Sequence, residues 1–193
     1  MTNRVILSCW IRGFTEHNLL ANFEKALWRF PFSRLAPRAH LTVRAVDYAE
    51  SPVDECLLEA GTDAATIIDA CRDFLHADCA FEVDAFWDLW QESDGDWTLQ
   101  PSPVRITCYA PLFPSELGEQ LRLELGADSL FLPSPDDEAP PLRAIQSNIR
   151  SVLRLASDLE QALALEKRLL WAEDGENLAE RLTKALEELE GEG

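Results

Sequence analysis

The sequence predicts an α+β fold of ferredoxin-like, split βαβ order, with its antiparallel sheet extended by a β-hairpin and one more strand, and a C-terminal helical hairpin. Three observations carry that expectation. Apolar residues follow the order strand, helix, strand, strand, helix, strand from Arg4 to Trp90. Ser93-Asp94-Gly95-Asp96 then joins two strand-like runs, and Asp-Gly readily takes the positive φ angles of a tight hairpin turn. Beyond a Pro-rich acidic stretch, Ile145, Ile149, Val152, Ala156, Leu159 and Leu163 recur in steps of four and three, the seam of a helix that packs on a helix.

Each element has its own signal. Val5, Leu7, Cys9 and Ile11 alternate, giving a first strand from about Arg4 to Arg12 that Gly13 ends. Thr15 suits a helix N-cap, and Leu19, Leu20, Phe23, Leu27 and Phe30 follow with helical spacing up to Pro31. After a Pro-bounded loop, His40 to Tyr48 alternates as a second strand. Ser51-Pro52 turns the chain, and Val53 to Ala60 reads as a third strand. Gly61-Thr62-Asp63 caps a second helix whose Ile67, Ile68, Cys71 and Leu75 share a face. A fourth strand begins at Cys79 and returns through the hairpin as Val104 to Tyr109. Leu121 to Leu125 alternates too cleanly for a helix and adds a strand closed by Gly126, while Pro114 to Leu117 reads as a loop or one helical turn. Leu178, Leu182, Leu186 and Leu189 mark a last amphipathic helix, and Glu166 interrupts the seam of the helix before it. These signals divide the chain into an α+β domain at 1–133, a Pro-rich acidic linker at 134–141, and a helical hairpin at 142–190 that packs on the domain or on a second subunit.

With 193 residues, 47% of them hydrophobic, the chain can bury a full core. Its net charge of -18 disfavours nucleic acid and anionic membrane surfaces, which repel such a protein. Residues 1–45 run against that balance, with seven Lys or Arg against Glu16 and Glu24. This reads first as internal charge complementation, because charge runs usually sit on solvated faces. The alternative is a basic patch for an anionic ligand around Arg29 to Arg44. Five cysteines without framework spacing, no leader-like N-terminal run and no apolar stretch of spanning length point to a reduced, cytoplasmic protein.

The candidate site is the sheet face turned away from the helices. If Val5, Leu7, Cys9 and Ile11 face the helices, then Ser8, Trp10 and Arg12 point the other way. The same alternation turns Thr42, Arg44 and Tyr48 outward, with Glu82, Asp84, Phe86, Asp88, Trp90, Arg105, Thr107 and Tyr109. Arginines, carboxylates and aromatics together resemble neither plain core nor plain surface. Trp10, Arg44, Asp84, Asp88, Arg105 and Tyr109 are therefore the candidate ligand-binding residues. The competing reading is structural: Arg44 and Arg105 pair across strands with Glu82 and Asp84, and the C-terminal helices cover the aromatics.

Catalytic signatures are missing: no nucleophile elbow, zinc-protease motif, phosphate loop or dinucleotide fingerprint occurs. Acid–base chemistry would need two carboxylates in different environments, for which Asp84 and Asp88, or Glu82 and Asp84, offer only a shared strand face. Cys71, His76 and Cys79 lie close in sequence but lack zinc-site spacing and a fourth ligand. No catalytic residue, metal or cofactor is assigned. The expectation is an acidic interaction or regulatory protein, dimeric through its C-terminal helices or open face, with a basic protein partner. The alternative is a small-molecule sensor or enzyme using the Arg/carboxylate/aromatic face.

Overall fold

The computed structural model describes residues 3–59, 63–93, 95–132, 142–172 and 178–191. It is an α+β fold built on a seven-stranded antiparallel sheet. Strands β1 (Arg4–Ile11), β2 (Ala39–Ala45), β3 (Asp54–Leu58), β4 (Cys79–Ser93), β5 (Asp96–Tyr109), β6 (Leu121–Ala127) and β7 (Leu165–Ala172) lie in the order β3-β2-β4-β5-β6-β1-β7. Four helices, α1 (Glu16–Arg29), α2 (Ala64–Cys71), α3 (Leu142–Ala162) and α4 (Leu178–Gly191), share one core with the sheet's inner face.

The local chemistry explains the starts and stops. The Thr15 amide before α1 donates to Asn18 Oδ1, three residues on, at 3.0 Å. Asp63 caps α2, its carboxylate accepting the Thr66 amide at 2.7 Å. The β4–β5 ribbon pairs without a break from Ala80↔Tyr109 to Ser93↔Asp96, and Gly95 takes φ 85 at its tip. Pro101 and Pro103 are tolerated in β5 because β6 covers only Arg105 to Cys108, so the missing amides face no partner strand. Inside, the rings of Phe30 and Phe131 lie 5.9 and 6.2 Å from that of the fully buried Trp87.

Two expectations need correction. The ferredoxin-like order does not form: β4, β5 and β6 stand between β1 and β2, and β1 pairs with β6 and β7. The cause lies in the ribbon. Its strands, fifteen and fourteen residues long, continue directly into β6 as a meander, so β6 rather than β4 reaches β1. The C-terminal helical hairpin is likewise interrupted by β7. The outer edge of β1 offers unpaired backbone, and Leu165–Ala172 pairs along it from Val5 to Ile11 while Glu166, Lys167 and Arg168 stay exposed. The Arg12 amide donates to the Ala164 carbonyl at 2.7 Å and starts that pairing.

The α3 seam is used inside the chain: Ile145, Ile149, Val152, Ala156, Leu159 and Leu163 are buried in the same core as Leu19 and Phe23. The acidic segment at 134–141 lies outside the described residues. Among the described residues no helix is long and apolar enough to cross a membrane.

Candidate functional site

The four helices share the core with one sheet face, and among the described residues the opposite face is flanked by the 46–50 turn and the 111–120 loop, both at its Ala80–Tyr109 end. Strand alternation lays its side chains in rows. Across β2, β4, β5 and β6 one row reads His40, Asp84, Arg105, Glu124, and the next reads Thr42, Glu82, Thr107, Arg122.

The charges in these rows engage one another. Arg105 grips Asp84 in a fork, Nε to Oδ1 at 2.7 Å and Nη2 to Oδ2 at 3.0 Å. Arg44 Nε donates to Glu82 Oε2 at 2.7 Å, and Arg4 Nη1 to Glu124 Oε2 at 2.8 Å. Arg122 reaches the Glu116 and Glu119 carboxylates. These pairs differ in how firmly they are held. The Arg44 and Glu82 side chains are 23% and 5% exposed, whereas Arg105 and Asp84 are 43% and 42% exposed. Opening the second pair therefore costs on the order of 1 kcal/mol, and separating the first costs several times more.

The open face holds two depressions, of about 720 and 650 Å³. The first is lined by Arg4, Arg38, His40, Asp84 and Phe86, with Gly126 at its wall. Gly126 adopts φ 103, and a Cβ there would come within 3.2 Å of Ser102 Oγ. The second lies between the 47–49 turn and the 114–116 loop, over Glu82, Thr107 and Tyr109. Arg105 and Glu124 line both, so the two depressions meet at that saddle.

The six sequence-derived candidates separate. Asp84 and Arg105 stand at the meeting of the depressions, and Tyr109 floors the second. Tyr109 stacks on Phe113 and accepts the Tyr48 hydroxyl at 3.2 Å. Arg44 is occupied, bonded to Glu82 with its guanidinium over the Tyr48 ring. Trp10 lies at the far side beneath the Lys167 ammonium, 4.4 Å from the ring centre. Asp88 accepts the Ser33 hydroxyl and, at 2.9 Å, the Arg34 amide, which anchors the 33–36 turn along β4. Neither Trp10, Arg44 nor Asp88 lines a depression.

The strand-parity candidates missed Arg4, Arg38, Asp47, Glu116, Arg122 and Glu124, although the basic stretch from Arg29 to Arg44 marks the neighbourhood of Arg38 for an anionic ligand. The alternation of β6 places Arg122 and Glu124 outward, so those two carried a usable signal. Arg38 comes from a loop, its guanidinium 5.2 Å over the Phe86 ring, and no periodicity points there. The cysteines behave as core residues. Burial pushes the Cys9 thiol up to about 12 and raises those of Cys71, Cys79 and Cys108, so all four stay protonated at neutral pH.

The chain matches no family model, no curated protein and no solved structure.

Proposed function

We propose that this protein is a binding module that holds a small polar ligand on its open sheet face and does no chemistry on it. The observation that carries this reading is the sheet face that no described helix covers, with its two confluent depressions, each of the size in which small molecules bind. The half-exposed Arg105–Asp84 fork supports it as well. Opening that fork costs less than about a tenfold loss in affinity, so Arg105 can turn from Asp84 to a polar group of a ligand where the depressions meet. Binding without conversion fits the remaining chemistry, since the carboxylates around the saddle are tied to arginines and the thiols of Cys9, Cys71, Cys79 and Cys108 are held neutral. A thermal-shift screen of small metabolites tests it. Binders should raise the melting temperature of the wild type and lose that effect in Arg105→Ala. A broad library at concentrations above millimolar affinity that moves nothing would refute the reading.

A second reading, an acidic module that docks a basic protein, draws on the net charge of -18 and on one strained, exposed turn. Val46 sits at φ 72 in a γ-turn, the Asp47 amide donating to the Ala45 carbonyl at 2.9 Å, with its side chain 56% exposed. A β-branched residue at positive φ is strained, and strain of this kind gathers at working surfaces.

A further inference from the structure

The two depressions differ in charge. The first brings Arg4, Arg38 and Arg105 against Asp84 and Glu124, an excess of one positive charge in a chain of net charge -18. Arg38 forms no ion pair among the described residues and rests on Phe86 as a cation over a ring. The second depression is acidic. Even with Glu82 neutralised by Arg44, it keeps Asp47, Glu116 and Glu124 against Arg105 and Arg122. Asp47 engages one oxygen with the Ala49 and Glu50 amides and forms no ion pair among the described residues.

Since Arg105 and Glu124 line both, the depressions read as a single trough with a cationic end and an anionic end. Measured along β4, it reaches from Phe86, under Arg38, to the level of Ala80, whose cross-strand neighbour Tyr109 lines the second depression. Six residues of strand span roughly 20 Å. A singly charged small anion would satisfy one end and leave the other bare.

We propose that the trough takes a zwitterionic ligand of short-peptide size, its carboxylate at Arg38 and its cationic group between Asp47 and Glu116. This rests on the binding function proposed above and adds the class of ligand. Five extended residues measure about 17 Å between their ends, which matches that reach. The opposed charges also fix direction, because a reversed peptide would set like charges against both ends.

Penta-alanine, its C-terminal amide and its N-acetyl form are the probes, read by amide chemical-shift titration of the isotope-labelled protein. Penta-alanine should move resonances along β4, β5 and the 47–49 turn, and each cap should weaken it about tenfold, one lost charge contact. In Arg38→Gln the acid and amide should bind alike. In Asp47→Asn/Glu116→Gln the free and acetylated peptides should bind alike, and the amide oxygen that Asp47→Asn introduces still accepts the two turn amides. Equal binding of capped and uncapped peptides to the wild type, or no movement at roughly ten times a millimolar affinity, overturns the inference. If simple carboxylates such as hexanoate bind the face as well as penta-alanine does, the zwitterion is wrong and the binding function stands. If neither these probes nor the metabolite library touches the face, both fall.

Discussion

Asn148 is the residue whose loss can be read most directly from the structure. Strand β4 runs on past the end of β2, so its edge from Phe86 to Trp90 has no strand partner on that side. Asn148, reaching over from α3 and only 1% exposed, fills the gap: its Oδ1 accepts the Trp90 amide at 2.9 Å, and its Nδ2 donates to the Trp90 carbonyl at 2.8 Å and the Leu130 carbonyl at 2.9 Å. The side chain thus imitates a neighbouring strand and pins α3 to the sheet. Asn148→Ala removes three buried hydrogen bonds worth about 0.5–1.5 kcal/mol each, so a loss of roughly 3 kcal/mol is expected. For a chain of this size that lowers the melting temperature by about 6–12 °C, measurable by urea and thermal unfolding. Asn148→Asp is the sharper probe. Its carboxylate keeps the Trp90 amide but faces two carbonyl oxygens in a dry site, which raises its folded pKa. The folded variant then favours the protonated form, so its deficit against wild type should shrink as the pH falls from about 8 to about 5. A loss below about 1 kcal/mol for the alanine variant, or a pH-independent deficit for the aspartate variant, would refute this account of how α3 is held.

Two further outcomes are expected. The chain has two tyrosines, and both phenols ionise above the ordinary range: Tyr48 chiefly through burial and its bond to Tyr109, and Tyr109 chiefly through burial. Their raised folded values contribute stability that is intact below an unfolded pKa near 10 and drains away as the pH rises past it. The ultraviolet phenolate signal of the folded protein should therefore rise at higher pH than that of the unfolded chain, whose midpoint lies at about 10; folded and unfolded titrations with the same midpoint would contradict the Tyr48–Tyr109 contact. Cys56 is the one partly exposed thiol, the other four being buried, so a thiol reagent should label one cysteine in the native protein and five after denaturation. Rapid native labelling of a second thiol would mean that the core opens around it.

Where apolar alternation is strong, the sequence spoke plainly: β1, α1, the long ribbon and β6 lie within a few residues of their expected places, since each exposes one face and buries the other. Which strands neighbour one another is not a local property, and β1 shows why. Its pattern states that it is half buried, but its partners lie on β6 and β7, far along the chain. Residues Leu165 to Ala172 were harder still, because their charged run makes sense only against the waiting edge of β1. At the candidate site, Asp84 and Arg105 were legible from strand parity. Asp88 shares that parity yet serves the 33–36 turn, and Arg38 reaches the face from a loop. Parity gives direction and says nothing of the company a side chain will find.

The placement of β1 also has a consequence for how the chain matures. Val5 pairs with Ala172 and Arg4 with Ala127, so β1 is synthesised well before either of the strands that flank it. Until β6 and β7 have been made, β1 is an apolar ribbon with both edges bare, the kind of segment that nascent chains must keep from pairing wrongly. The β4–β5 hairpin can close on its own and early, whereas joining β1 to β6 and β7 is a slow, long-range step. Any shortening that removes Leu165 to Ala172 would leave the outer edge of β1 uncovered in the finished protein, turning a transient hazard of synthesis into a permanent one.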